Sequence, residues 1–369
     1  MKKAIHKAII SGGGTGGHIF PAIAIADEIR HRNPKAEILF IGAEDRMEMD
    51  RVPKAGYEIV GLPIKGIQRK LTFENLKVPF RLWKSIRQVK SIIKDFNPEI
   101  VIGVGGYASG PTLWVATGLG IPTLVQEQNS YAGLTNKLLA RRVNAFCVAY
   151  ERMERFFPDD RITITGNPVR QDLDSIASDK EEALGFFDLN RNKKTILIFG
   201  GSLGARTLNE SVNQMYDVLK EVNDVQVIWQ CGKRAFPNYQ ESKTSQLKHI
   251  HLMPFIDRMD LAYQVADLVV CRAGALTISE LAITGKASVL VPSPNVAEDH
   301  QTKNALSLVD NDAAIMIEDG KAVEKLIPRS IQIVRNNEEL IKLRKNVLEL
   351  AKPGARQNIV DIAEELIKE

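Results

Sequence analysis

Apolar positions in this chain fall into two kinds of segment. Short runs rich in isoleucine and valine alternate with longer stretches in which apolar residues recur every three or four places. The first kind reads as strands buried on both faces, the second as amphipathic helices. In the first half the pattern predicts strands at Lys7–Ile10, Glu37–Ile41, Ile100–Val104, Thr123–Gln126 and Ala145–Val148, with helices such as Pro21–His31 and Leu134–Arg141 between them. Pro21 suits the opening of a helix, where its missing N–H leaves no bond unmade. The second half repeats the theme, with strands expected at Thr195–Phe199, Gln226–Gln230, Ile250–Met253, Leu268–Cys271 and Ser288–Val291.

This alternation predicts an α/β chain with two doubly wound parallel-sheet domains. A turn-rich stretch, Gly166-Asn167-Pro168-Val169-Arg170, places the hinge, and Lys352-Pro353-Gly354 separates the last two helices, Asn337–Ala351 and Asn358–Lys368. The expected division is 1–166, 167–352 and a terminal helix in 353–369. Length agrees, since 369 residues exceed one comfortable core.

Composition narrows the classes. With 44% hydrophobic and 25% charged residues the chain is globular, and a net charge of +4 is too small to argue for nucleic acid. Cys147, Cys231 and Cys271 have no paired spacing, which points to reduced thiols and neither a disulfide framework nor zinc. The basic start followed by an apolar run imitates a signal peptide, but glycines follow from Gly12 and a first strand is the better reading. No segment approaches the ~20 apolar residues of a membrane span, so any membrane contact lies at its surface.

Chemistry concentrates in four glycine loops, each at the expected end of a strand: Ser11 to His18, Gly103 to Pro111, Phe199 to Arg206, and Arg272 to Glu280. Glycines let backbone N–H groups approach an anion, and a helix start adds partial positive charge, so a diphosphate is the natural ligand. Gly12, Gly14 and Gly17 also satisfy the dinucleotide fingerprint, with Glu44 or Asp45 ending the second strand. A nicotinamide dehydrogenase needs one such cradle, however, and here both domains offer candidates.

These loops, with Glu127-Gln128-Asn129, Gly166 to Arg170 and Asp299-His300-Gln301, resemble the motif series of the MurG family of UDP-N-acetylglucosamine transferases, in the family's order from residue 11 to residue 304. The resemblance implies a GT-B fold, two Rossmann-like doubly wound parallel-sheet domains facing a cleft. It implies inverting transfer of N-acetylglucosamine from UDP-N-acetylglucosamine to lipid I, an undecaprenyl-linked muramyl pentapeptide, giving lipid II. Ala275, Leu276, Thr277 and Glu280 would line the nucleotide site, with Glu280 on the ribose and the backbone at Ile256 on the uracil. Ser202 and Arg170 would approach the diphosphate, Gln301 the sugar, and Thr15, Gly16, Gly17 and Asn129 would complete the donor pocket. The family often has His where this chain has Gln126, and Ser where it has Ala273.

The acceptor hydroxyl needs a general base. His18 is the first candidate because an imidazole titrates near neutrality, and Glu127 is the next, unless it orders its loop instead. No metal-ligand spacing is present; His249 and His251 read as strand alternation, and neither metal nor cofactor is expected. From Lys65 to Lys94, Lys65, Arg69, Lys70, Lys77, Arg81, Lys84, Arg87, Lys90 and Lys94 outweigh Glu74 and interleave with Ile67, Leu71, Phe73, Leu76, Phe80 and Trp83. Ile67 to Phe80, interrupted by Pro79, is expected to meet an anionic membrane surface at the cytoplasmic face. Trp83 to Lys94 is expected to be an ordinary helix with its apolar side in the core. Partner proteins of cell-wall synthesis are expected, and nucleic acid is not. Two other readings remain: a UDP-N-acetylglucosamine 2-epimerase and a non-catalytic nucleotide-sugar sensor.

Overall fold

The structure is a computed structural model and describes residues 4–65, 78–169, 173, 180–201, 203–296 and 299–367. The chain divides into two compact units, Met1–Arg170 with Pro353–Glu369, and Gln171–Lys352.

The first unit holds a parallel sheet of β1 (Lys7–Ser11), β2 (Glu37–Ala43), β3 (Glu58–Leu62), β4 (Ile100–Gly103), β5 (Thr123–Glu127), β6 (Ala145–Val148) and β7 (Ile162–Ile164). Their order is β3-β2-β1-β4-β5-β6-β7. Its helices are α1 (Gly16–Arg32), α2 (Glu48–Lys54), α3 (Val78–Phe96), α4 (Ser109–Gly118) and α5 (Leu134–Leu139). Strand alternation feeds two cores, one on each face. Ala8 and Ile10 of β1 pack with Ile19, Ile25 and Ile29 of α1, whereas Ile9 packs with Val89 and Ile93 of α3 and Leu113 of α4.

The second unit repeats this plan with β8 (Lys194–Phe199), β9 (Val225–Gln230), β10 (Ile250–Met253), β11 (Leu268–Cys271), β12 (Ser288–Leu290) and β13 (Ile315–Met316), ordered β10-β9-β8-β11-β12-β13. Its helices are α6 (Lys180–Phe186), α7 (Arg206–Asn213), α8 (Tyr216–Leu219), α9 (Phe236–Tyr239), α10 (Met259–Val265), α11 (Ala275–Thr284), α12 (His300–Val309), α13 (Asp319–Arg335) and α14 (Asn337–Glu349). Leu197, Val269, Leu281 and Val347 fill one face, and Ile198, Val270, Val212 and Leu326 the other.

The last helix, α15 (Ala355–Leu366), belongs to the first unit and packs on α1. Ile359, Val360 and Ala363 join the core there, and Arg32 donates to Asp361 at 2.6 Å and to the Gln357 carbonyl at 2.9 Å. Full burial of an isoleucine or valine contributes about 1.5–3 kcal/mol, against roughly 0–1 for a solvent-screened ion pair. The apolar face therefore holds the helix and Arg32 sets its register.

All ten strands expected from the sequence form within two residues of their predicted bounds, while β3, β7 and β13 were not foreseen. Each of these three is a sheet edge, with one neighbour and a shorter or more exposed apolar run. One proline corrects a helix reading. Helix α1 begins at Gly16, so Pro21 lies inside it and not at its start, a position the low helix propensity of Gly16-Gly17 concealed. Pro79 is the second described residue of α3, and the stretch before it, Ile67 to Lys77, lies outside the described residues. The three cysteines are buried, and burial pushes each thiol up, Cys231 to about 11.

Candidate active site

In a doubly wound sheet, ligands bind beyond the strand ends where the winding reverses. These points fall at β1/β4 in the first unit and β8/β11 in the second, so all four glycine loops sit at one or the other.

At β1/β4 the two loops touch backbone to backbone. The Gly13 N–H donates to the Gly105 carbonyl at 3.3 Å, and a Cβ on Gly106, at φ +88°, would stand 2.4 Å from the Gly13 oxygen. Only glycine fits. Thr15 caps α1 in extended geometry, Gly16 and Gly17 are its first two residues, and His18 is half-buried behind them. His18 Nδ1 lies 2.9 Å from the Gly13 carbonyl oxygen. A carbonyl only accepts, so Nδ1 carries a proton, and in the neutral imidazole Nε2 presents a lone pair. That nitrogen lies beside Gly105, where a Cβ would come within 2.9 Å of it.

Glu127 ends β5 and is buried, with both carboxylate oxygens engaged. Oε1 accepts from the Asn129 N–H at 3.1 Å and Oε2 from the Gly133 N–H at 3.0 Å and Asn136 Nδ2 at 2.8 Å. Asn129 thereby belongs to a loop folded around Glu127. Gln126 is wholly buried and donates to Asn167 Oδ1 at 2.9 Å, while Asn167 donates to the Gln128 carbonyl at 3.1 Å. The position that departs from the family is thus part of an internal amide network linking β5 to the stretch after β7.

At β8/β11 a cavity of about 490 Å³ opens, lined by Gly200, Gly201, Gly204, Ala205, Arg206 and Thr207 on one side and Arg272, Gly274 and Thr277 on the other, with Ser293, Asn295, Gln301 and Asp319. Gly204, at φ +76°, lies so close to Cys231 that a Cβ would stand 2.0 Å from its carbonyl oxygen. Helix α11 starts at the cavity with Ala275, Leu276 and Thr277, so the positive end of its dipole lies there. One turn on, Glu280 accepts a hydrogen bond from the Tyr263 hydroxyl at 2.8 Å, which fixes the carboxylate's orientation. Gln301, in the first turn of α12, accepts from the Ser293 N–H at 2.8 Å. The Ile256 side chain is buried in the core after β10, which leaves its backbone as the part able to meet a ligand. Arg170 and Ser202 lie outside the described residues.

Sequence reasoning gave no role to Arg272 or Asp319. Arg272 Nη1 donates to Asp319 Oδ1 at 2.5 Å and to the carbonyls of Val291 and Pro292 at 3.0 and 3.2 Å, and Thr207 donates to Asp319 Oδ2 at 3.1 Å. Arg272 stood within a quoted motif; Asp319 carried no signal at all.

In the first unit α3 packs on α4, and α4 on α5. Ser85, Val89 and Ile93 turn inward, yet Phe80, Leu82 and Trp83 are exposed, Trp83 at 55%. The helix expected over Trp83 to Lys94 thus has its apolar side in the core at Val89 and Ile93, while Trp83 itself is exposed. Arg81, Lys84, Arg87, Lys90 and Lys94 share this helix, Trp114 is exposed on α4 beneath the Arg142 guanidinium at 3.6 Å, and Leu134 and Leu138 are exposed on α5. Ile67, Arg69, Lys70, Leu71, Phe73, Glu74, Leu76 and Lys77 lie outside the described residues. Among the described residues no helix is long and apolar enough to cross a membrane.

Residues 8–148 match the model of the glycosyltransferase family 28 N-terminal domain, and residues 195–365 that of the glycosyltransferase family 28 C-terminal domain. A curated protein of Parabacteroides distasonis, named UDP-N-acetylglucosamine--N-acetylmuramyl-(pentapeptide) pyrophosphoryl-undecaprenol N-acetylglucosamine transferase, is 58% identical over 361 residues, covering 96% of this chain and 97% of its own. A protein of the same name from Bacteroides thetaiotaomicron is 53% identical, covering 100% and 98%. The crystal structure of Acinetobacter baumannii MurG superposes with a TM-score of 0.77 at 30% identity, covering 98% of this chain and 99% of that one. A UDP-GlcNAc 2-epimerase from Neisseria meningitidis, solved with UDP-GlcNAc, reaches a TM-score of 0.67 at 14% identity over 99% and 100% of the chains, a likeness of fold alone.

Proposed function

We propose that this chain, which belongs to glycosyltransferase family 28 and, with its GT-B fold, to the MurG transferases within it, moves N-acetylglucosamine from UDP-N-acetylglucosamine onto a pyrophosphoryl-undecaprenol-linked muramyl pentapeptide. The relationship to the curated transferases along the whole chain carries this reading, and the cavity at β8/β11 supports a donor site there.

Loss of UDP builds negative charge on the diphosphate. The start of α11, Gly200, Gly201, Gly204 to Arg206, and Arg272 line the cavity and are assigned to receive it; Arg170 and Ser202 keep the diphosphate role that the resemblance gives them. Glu280, oriented by Tyr263, takes the ribose hydroxyls. His18 is the general base, its Nε2 the lone pair that accepts the acceptor's proton. Glu127 orders the loop of Asn129, because four donors on its two oxygens leave it poorly placed for proton transfer.

Glu280→Ala is expected to weaken UDP binding by about 1–3 kcal/mol, the range for a charged hydrogen bond. Calorimetry would measure it, and an unaltered Kd would remove Glu280 from the ribose site.

The lipid-borne acceptor requires a membrane-facing surface. The exposed Phe80, Leu82 and Trp83, ringed by Arg81, Lys84 and Arg87, supply apolar wedges among cations that suit the anionic cytoplasmic leaflet. Replacing Phe80 and Trp83 together with serine should lower binding to anionic vesicles about 10²–10⁴-fold, from the loss of roughly 1.5–3 kcal/mol per aromatic ring. Equal sedimentation with vesicles before and after would place the contact elsewhere.

The decisive experiment for the function is incubation with labelled UDP-N-acetylglucosamine and a short-chain lipid-linked acceptor. A labelled disaccharide is expected. Conversion of UDP-N-acetylglucosamine to a new sugar without acceptor would favour the epimerase, and binding without product a sensor.

A further inference from the structure

Glu48 opens α2, yet its side chain turns back beneath the glycine loop of the first unit and is only 1% exposed. Oε2 accepts the Gly14 N–H at 2.8 Å, and Oε1 accepts the Ala43 N–H at 3.0 Å. Two glycines make room for it. A Cβ on Gly13 would stand 2.1 Å from Oε1, and one on Gly42 2.6 Å from Cγ.

Loops of this kind usually offer their N–H groups to a ligand's phosphate. Here the Gly12 and Gly13 N–H groups bond the Ile41 and Gly105 carbonyls, and the third, Gly14, bonds Glu48. The anion at this point of the loop is the protein's own. Donors left for a ligand begin at the start of α1, with Gly16 and Gly17.

The Gly14 N–H and the Gly13 carbonyl are two ends of one planar peptide group and point in opposite directions. Glu48 holds one end, and the other accepts from His18 Nδ1 at 2.9 Å. Glycines on both sides, at φ +155° and +87°, would otherwise let this peptide flip. We propose that Glu48 is a positioning residue for the transfer reaction, holding the Gly13–Gly14 peptide so that His18 keeps its Nδ1–H tautomer and presents Nε2 to the acceptor. The inference rests on His18 being the base.

The test is a double-mutant cycle with Glu48→Gln and His18→Ala. Glu48→Gln is isosteric but puts an amide N–H₂ where an oxygen now accepts. It should lower kcat about ten- to hundredfold, the scale of a misplaced catalytic group, while KM for UDP-N-acetylglucosamine changes less than threefold. UDP affinity, a property of the second unit, and the melting transition report that the protein is folded; should Glu48→Gln not fold, Glu48→Asp, which keeps the charge and shortens the reach, is read in the same way. In the His18→Ala background the same change should remove less than a further twofold. An unchanged kcat in Glu48→Gln, or a loss that adds fully to that of His18→Ala, overturns the positioning role. If His18→Ala alone leaves turnover intact, the base assignment fails instead, and this route for Glu48 fails with it.

Discussion

His18→Ala is expected to lower kcat by about 10²–10⁴, the usual contribution of a general base, with the Kd for UDP within twofold of the parent's. The split follows from the architecture, since His18 belongs to the first unit and the described residues lining the cavity proposed for the nucleotide all belong to the second. Alanine also removes the bond to the Gly13 carbonyl, so loss of activity alone would not separate proton transfer from loop ordering. His18→Asn makes the separation: its amide can still donate to Gly13, but it offers no basic nitrogen. Turnover in His18→Asn should match that of His18→Ala. Near-parental turnover would reduce His18 to a loop residue and leave the reaction without the base assigned here.

The contrast between His18 and Glu127 marks how far the sequence could be read. Both stand in motifs, and both residue types can move a proton. What separates them is the count of donors around each, and those donors come from residues whose proximity a linear pattern does not reveal. Asn136 reaches Glu127 from α5 and Glu48 reaches Gly14 across 34 positions. In the sequence, Glu48 sits in a charged stretch, Asp45 to Arg51, with no motif to mark it. Its actual place also bears on the dehydrogenase reading, because a carboxylate already occupies the loop that a dinucleotide's pyrophosphate would need.

Periodic features were legible for the opposite reason. A strand buried on both faces must be apolar at every position, so β1, β4, β8 and β11 announce themselves, and the glycine loops follow because each terminates such a run. Edge strands lose that constraint on one side, and β3, β7 and β13 went unseen. Orientation around a helix was harder. The apolar residues of α3 suit either a core or a lipid surface by pattern, and only packing against α4 decides that Val89 turns inward while Trp83 does not.

Arg272→Ala should lower kcat/KM by about 10²–10³, the range for removing one preorganised donor from a developing anion. All the hydrogen bonds that Arg272 makes with Asp319, Val291 and Pro292 run through Nη1, so Nε and Nη2 have no such partner among the described residues, in a side chain only 14% exposed at the cavity wall. Asp319 therefore anchors the guanidinium without exhausting its donors. The substitution has a second effect, because it strands the Asp319 carboxylate at 21% exposure with Thr207 as its remaining bond. Breaking a buried pair costs about 3–5 kcal/mol, and the residual exposure places this case at the low end. Lost stability and lost catalysis must be separated. Arg272→Ala with Asp319→Ala removes the stranded charge and should recover much of the melting temperature while turnover stays low. If turnover returned together with stability, Arg272 would be a strut of the cavity wall, and the charge on the departing UDP would have to be met by α11, the glycine loop and Arg170.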